Sequence, residues 1–312
     1  MSFTARVKDE LSRLEGTCDQ CRYAELAAIT RICGTLSFHG NGSYSIRVST
    51  ETGSVARVMI KLTHELFDLE TPLTVRRSNL HKARNYLIEI PAQPRLEEAL
   101  RHLCIVEPGR GLVPGVPEGL LDKPCCKESF VRGAFMAGGF IADPRGDFHL
   151  EIAVSADAFA RGLLAVLADL GVTARVNHRR GATVLYLKSF DDIQRLLSLM
   201  GAQRSALAIE SVRQVKSLKN DVNRRVNAEL ANQARTLGAA ASQVRLIEEA
   251  DRLVGLRQLP PALREFCRLR RDHPDASLTQ LGLLADPPAS KSAMYHRLLR
   301  LQRLLEEVRQ DG

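Results

Sequence analysis

The amino-acid sequence predicts an α+β chain in two parts: a duplicated N-terminal part, whose two pseudo-symmetric halves carry mixed sheets, and an all-α C-terminal part. Three observations support this. The order helix, strand, helix, strand, strand, helix occurs twice, offset by about a hundred residues, far beyond solenoid periods. A connector rich in Gly and Pro, EPGRGLVPGVPEGLLDKP (107–124), separates the copies and reads as loop. From about Ala228 onward the apolar spacing is helical throughout. The 312 residues suit two or three domains. The expected boundaries are 1–122 and 123–212 for the two halves, 213–227 for a basic linker and 228–312 for the helical domain.

The first copy begins with a small-residue helix, AELAAITRICGTLSF (24–38), and a turn, HGNG. An alternating strand, SYSIRVSTE (43–51), follows. The next helix, SVARVMIKLTHELFD, places Val55, Val58, Met59, Leu62 and Leu66 on one face. Strands LTVRRS (73–78) and NYLIEI (85–90) lead to a closing helix, RLEEALRHLCI. The second copy runs VRGAFMAGGFIAD (131–143, helix), DFHLEIAVS (147–155, strand) and ADAFARGLLAVLADLG, a helix ending at Gly171 as a C-terminal cap. Strands TARVNH (173–178) and TVLYLK (183–188) flank a turn with Arg179, Arg180 and Gly181, and the helix SFDDIQRLLSLMG (189–201) closes the unit. Two such halves are expected to pair as a pseudo-dimer.

Composition narrows the function. Apolar residues at 45% and charged residues at 26% predict folded material. No apolar run reaches the length of a membrane span, and the N-terminus, MSFTARVKDELSRLE, is charged and amphipathic, unlike a signal peptide. A net charge of +8 favours a polyanionic partner. Aromatics at 5%, with no Trp, disfavour a surface that stacks single-stranded bases. The seven cysteines, without a secretory signal, read as reduced thiols of a reducing cytosol. Cys18-x-x-Cys21 is half of a zinc motif, but Cys125 and Cys126 are adjacent and no His lies nearby, so the expectation is no metal.

The helix with Gly133, Ala134, Ala137, Gly138 and Gly139 sacrifices about 1 kcal/mol of helix stability per glycine. Close packing against a second helix compensates, and Ala24, Ala27, Ala28 and Gly34 of the first copy supply the partner face. These two helices resemble the paired LAGLIDADG helices of homing endonucleases, each followed by the strands of that fold. In those nucleases an acid before each terminal glycine holds the divalent metals. Here Cys33 precedes Gly34 and Gly138 precedes Gly139, so the former metal positions carry no carboxylate. Asp143, before Pro144, is read as a turn residue without a counterpart in the first copy.

The C-terminal part carries a helix-turn-helix pattern. PPALREFCRLRRDHP (260–274) is one helix. SLTQLGLLA (277–285) is a second, capped by Ser277 with Leu278, Leu281 and Leu284 inward. DPPAS makes the turn into SKSAMYHRLLRLQRLLEEVR (290–309), in which Met294, Leu298, Leu301 and Leu305 form the core stripe. Ser290 is a natural N-cap as well as a candidate DNA contact, and the opposite face shows Lys291, Ser292, Tyr295, His296, Arg297 and Arg300. A basic helix face of this kind suits major-groove entry, with Arg or Lys on guanine edges and Ser or Tyr on phosphates. Upstream, Arg213, Lys216, Lys219, Arg224 and Arg225 stand against only Asp221; Arg224 and Arg225 are candidate phosphate contacts, with a solvated linker helix as the equal alternative. Arg175, Arg179 and Arg180 read first as a charged hairpin tip, with sheet-face contacts as the alternative.

Together, SFTARVKDEL, RGAFMAGG, NRRVNAELAN and HPDASLTQLGLLADPPASKSAMYHRLLRL resemble the WhiA family of bacterial regulators over essentially the whole chain. The resemblance implies a degenerate LAGLIDADG-like domain joined to a DNA-binding helix-turn-helix. It also implies roles in transcription regulation, sporulation, cell division or chromosome segregation. The expected function is sequence-specific binding of double-stranded DNA by a cytoplasmic, nucleoid-associated protein with no enzymatic activity, no cofactor and no membrane contact. Another transcription regulator is a possible protein partner. The competing readings are an active endonuclease and a protein-interaction scaffold.

Overall fold

The computed structural model describes residues 2–39, 43–77, 84–109, 111–179 and 181–311. The chain divides into two compact units, Met1–Val215 and Lys216–Gly312. Arg180, part of the HGNG turn and Ser78 lie outside the described residues.

The first unit opens with α1 (Phe3–Leu11), where the Ser2 hydroxyl accepts from the Ala5 N–H and Phe3, Val7 and Leu11 turn into the core. The first half continues with α2 (Asp19–Cys33), β1 (Gly34–Phe38), β2 (Tyr44–Thr50), α3 (Gly53–Phe67), β3 (Leu73–Arg77), β4 (Arg84–Ile90) and α4 (Leu96–His102). A two-residue pair, β5 (Val106–Glu107) and β6 (Gly111–Leu112), and a 3-10 turn at Glu118–Leu120 occupy the connector expected as loop. The second half runs α5 (Pro124–Gly138), β7 (Gly139–Ile141), β8 (Leu150–Val154), α6 (Asp157–Asp169), β9 (Arg175–Arg179), β10 (Ala182–Leu187) and α7 (Phe190–Met200).

The duplication is exact in topology: the two four-stranded sheets have orders β1-β2-β4-β3 and β7-β8-β10-β9. Every strand pair among the described residues is antiparallel, so the sheets lack the parallel component of a mixed sheet. The crossover through α3 or α6 carries the chain to the far edge, and the following hairpin returns a strand between its neighbours. Each half also holds one strand more than the sequence reading. The segments 34–38 and 139–141, read as the ends of helices, are extended. At Gly34 and Gly139 ψ turns to 139° and 145°, while each N–H still bonds back to Thr30 O or Phe135 O. The helix stops there because the next residues pair with β2 and β8.

The core lies where α2 and α5 cross. Ala24, Ala27, Ala28, Ala134, Phe130 and Phe135 are all fully buried. A Cβ on Gly133 would stand 2.4 Å from Glu25 O and 3.1 Å from the Ala28 Cβ. The expected reason for the small residues therefore holds: two backbones approach too closely for a side chain between them. One ion pair is buried with them, Arg132 Nη2 donating to Glu25 Oε2 at 2.7 Å and to Ser129 Oγ at 3.2 Å. Amphipathic helices cover the sheets: Val55, Val58, Met59 and Leu62 of α3 are buried as expected. Past the end of α6, Gly171 takes φ +71°, the left-handed conformation of a terminal cap.

Helix α8 (Gln203–Leu253) runs through the division between the units, so residues 213–227 are helical surface. The second unit continues with α9 (Pro261–Asp272), α10 (Leu278–Leu283) and α11 (Lys291–Asp311). Its own core joins Ile247 and Ala250 of α8 to Leu263 and Phe266, Leu281, and Met294, Leu298, Leu301 and Leu305.

Candidate nucleic-acid interface

The apolar stripe of α11 packs on α9 and α10, which forces the opposite face outward. Helix α10 is held by a capping box: the Ser277 hydroxyl accepts from the Gln280 N–H, and the Gln280 side chain accepts from the Ser277 N–H. It is shorter than the sequence suggests. Leu284 stands outside it and is 49% exposed, while Gly282 and Ala285 are the buried residues there. A Cβ on Gly282 would meet Ala289 O at 2.2 Å, so the incoming turn packs directly on the α10 backbone.

The expected contact residues of α11 separate into three kinds. Lys291, Ser292, Tyr295, His296 and Arg300 are exposed on one helix surface. Ser290 is the cap, its hydroxyl accepting from the Ala293 N–H at 3.2 Å. Arg297 points back to α9: its Nη1 donates to Glu265 Oε2 at 2.8 Å, with both side chains 20% exposed. Glu265 also accepts from the Asp286 N–H at 2.8 Å. That bond first, and then Arg297, hold its carboxyl below the usual range against the opposing effect of burial. Glu265 thus ties α11, through Arg297, and the α10–α11 turn, through the Asp286 N–H, to α9. A second tie was not foreseen. Arg270, wholly buried, donates through Nε to Gln243 Oε1 at 2.9 Å and through Nη1 to the carbonyls of His273, Pro274 and Ala276. It binds the α9–α10 turn to α8, and only its place inside an RLRR run, where one arginine falls on the apolar face, hinted at this.

On α8, Arg224 pairs with Asp221 one turn away and Arg225 is exposed. Arg213 pairs with Asp191 at 3.0 Å and lies over the Phe190 ring. In the second sheet, Arg175, Asn177 and Arg179 face Tyr186, Val184 and Ala182 across the β9–β10 ladder. Alternation puts them on the open face, since Thr183, Leu185 and Leu187 are the buried set. Glu151 and His149, 3.2 Å apart, share that face, so its charge is mixed.

The ends of α2 and α5 carry Cys33 and Gly138, as the sequence places them. Cys33 Sγ donates to Ile29 O, and burial pushes its thiol up to about 11. Nearby Lys8 is buried too, which lowers it to about 8. A Cβ on Gly138 would stand 2.3 Å from Ala153 O and 3.0 Å from the Ile32 Cγ2, leaving no room for a side chain. Asp143 forms a turn, accepting from the Arg145 N–H at 2.9 Å.

At the opposite ends of the same helices the structure groups four thiols from two pairs that lie far apart in the sequence. Cys18 and Cys21 at the start of α2 and Cys125 and Cys126 at the start of α5 have their Sγ atoms within 4.8 Å of one another. Linear spacing hid this grouping, because each helix supplies one pair and the α2–α5 crossing brings the pairs together. The remaining cysteines, Cys33, Cys104 and Cys267, stand outside the group.

Comparison with known proteins agrees with this architecture. The family models for the WhiA N-terminal LAGLIDADG-like domain, the WhiA LAGLIDADG-like domain and the WhiA C-terminal HTH domain match residues 19–106, 127–219 and 222–305. A probable cell division protein WhiA from Heliobacterium modesticaldum is 39% identical, covering 100% of this chain and 98% of its own. One of the same description from Clostridium novyi is 36% identical, with 100% of both chains covered. A crystal structure of full-length DUF199/WhiA from Thermatoga maritima superposes with a TM-score of 0.62 at 25% identity, covering 98% of this chain and 99% of that one. With its duplicated LAGLIDADG-like halves and its C-terminal helix-turn-helix, the chain belongs to the WhiA family.

Proposed function

We propose that this protein is a sequence-specific DNA-binding regulator whose second unit reads duplex DNA with α11. The observation that carries the reading is the exposed face of Lys291, Ser292, Tyr295, His296 and Arg300, set on a helix whose other side is consumed by the core. Arg224 and Arg225 add phosphate contacts. The relatives named as probable cell division proteins support a role in cell division, exercised through transcription at the nucleoid, with chromosome segregation and sporulation as related processes. The LAGLIDADG-like unit is a retained scaffold without nuclease activity, because Cys33 and Gly138 offer no carboxylate and Gly138 has no space for one. It is free to serve as a second DNA surface or to receive another transcription regulator.

Titration of labelled duplex with the full chain tests this. Arg300→Ala and Lys291→Ala are expected to weaken binding by about 1–3 kcal/mol where they read a base, and less where they contact phosphate. Affinity is expected to fall steeply with salt. Unchanged affinity in both variants overturns the assignment of α11, and metal-dependent cleavage of plasmid overturns the loss of nuclease activity.

A further inference from the structure

We propose that Cys18, Cys21, Cys125 and Cys126 form a tetrathiolate zinc site that clamps the two halves of the first unit together. The geometry comes first. Cys18 Sγ lies 3.3 Å from Cys21 Sγ, 3.8 Å from Cys125 Sγ and 3.7 Å from Cys126 Sγ, and Cys21 Sγ lies 4.0 Å from Cys126 Sγ. Zinc–sulfur bonds of about 2.3 Å in a tetrahedron place ligand sulfurs about 3.8 Å apart. The four sulfurs therefore already outline a cage for one ion. An iron–sulfur cluster interposes inorganic sulfide and spreads its cysteines over several irons, wider than this group allows. Hard cations take oxygen ligands, and this site has only sulfur.

The four cysteines sit where two helices begin. Cys18 caps α2 and Cys21 lies in its first turn, while Cys125 and Cys126 follow Pro124 at the start of α5. Two helix N-termini thus converge on the sulfurs, and the roughly half positive charge at each offsets part of the two negative charges that four thiolates and one zinc ion leave uncompensated. Thr17 Oγ1 is 3.6 Å from Cys21 Sγ. Cys21 and Cys126 are buried and Cys18 and Cys125 half-buried, so the ion is shielded from solvent. Binding releases the thiol protons to solvent as the zinc–sulfur bonds form, with no change in oxidation state. Four protein ligands leave no open position, which makes the site structural. It joins helices whose opposite ends are the former catalytic positions, and it ties residues more than a hundred positions apart in the chain, where a cross-link restrains the unfolded state most.

The test uses the full chain, purified untagged with a thiol reductant and without chelator from zinc-replete cells. Elemental analysis is expected to find one zinc per chain, released in proportion to added organomercurial and read with a chromogenic indicator. Cobalt exchange is expected to give thiolate charge-transfer bands and the intense visible bands of a tetrahedral site. Cys18→Ser with Cys125→Ser should lose the metal, whereas Cys104→Ser and Cys267→Ser should keep it. Should the double variant fail to fold, wild-type stoichiometry and the cobalt spectrum still decide. Folded wild-type protein that lacks metal and takes up neither zinc nor cobalt overturns the proposal. So does stoichiometric iron or copper, or a Cys18–Cys21 disulfide in protein prepared without air.

Discussion

Replacing Arg270 by Met removes the donor that holds the α9–α10 turn. Arg270 is 1% exposed, and its partners are the Gln243 amide oxygen and the carbonyls of His273, Pro274 and Ala276. Hydrogen bonds from a charged donor contribute about 1.5–3 kcal/mol each, and a stranded buried acceptor costs about 1–3 kcal/mol. The turn carbonyls are partly accessible and recover some water, and Met restores apolar packing, so the expected net loss is about 3 kcal/mol. At about 4–8 °C per kcal/mol for a unit of this size, Tm falls by roughly 12–24 °C. The chain lacks Trp, so the assay combines far-ultraviolet circular dichroism in urea with hydrogen exchange resolved by peptide. Faster exchange should be confined to residues 240–311, and Arg270→Lys, which cannot span the same acceptors, should fall between wild type and Met. A loss below about 1 kcal/mol, or equal loosening of residues 2–215, refutes the assignment of Arg270 as the tie of that turn.

Four other outcomes are expected. Glu25→Ala leaves Arg132 buried with Ser129 alone and should cost about 3–5 kcal/mol in urea unfolding, most of it regained when Glu25→Leu is combined with Arg132→Met. Gly133→Ala gains about 1 kcal/mol in helix propensity but sets its Cβ 2.4 Å from Glu25 O, so a net loss of about 2 kcal/mol is expected in the same assay. Lys8→Met should stabilise the protein at pH 7 by up to about 3 kcal/mol, because wild type carries a buried charge there. That advantage should shrink as pH rises from about 8, the lowered value of Lys8, toward its ordinary 10.5, since the folded wild type sheds its proton before the unfolded chain does; matched denaturation curves across that range check it, with Cys33→Ala in both backgrounds to remove the neighbouring thiol. Restoring acids with Cys33→Asp and Gly138→Asp should lower stability and yield no metal-dependent nicking, as judged by circular dichroism and plasmid assay, because the Gly138 Cβ direction is filled by Ala153 O.

What the sequence discloses here depends on how far apart the cooperating residues lie. The α11 stripe of Met294, Leu298, Leu301 and Leu305 is a local periodic signal, and all four are buried. The small-residue helices are legible for the same reason: a glycine such as Gly133 is costly in a helix unless something packs against it, and α2 does. The boundary errors are local as well. Residues 34–38 and 139–141 continue an apolar pattern compatible with either state, and only pairing with β2 and β8 decides for strand. The residues that escaped notice are those whose partners are remote. Glu25 meets Arg132, Arg297 meets Glu265, and Cys18 meets Cys126 only after the helices cross. A buried arginine and an exposed one look alike in a basic run, so Arg297 and Arg300 read as equals until burial separates them. The same reasoning turns the cysteines from scattered thiols into a group. Once the duplication places α2 and α5 side by side, the residues that begin one helix must neighbour those that begin the other, and a Cys-x-x-Cys pair and a Cys-Cys pair at matching positions become one set of four. Sequence motifs for metals assume ligands close along the chain; a duplicated fold can supply them across its pseudo-symmetry axis instead.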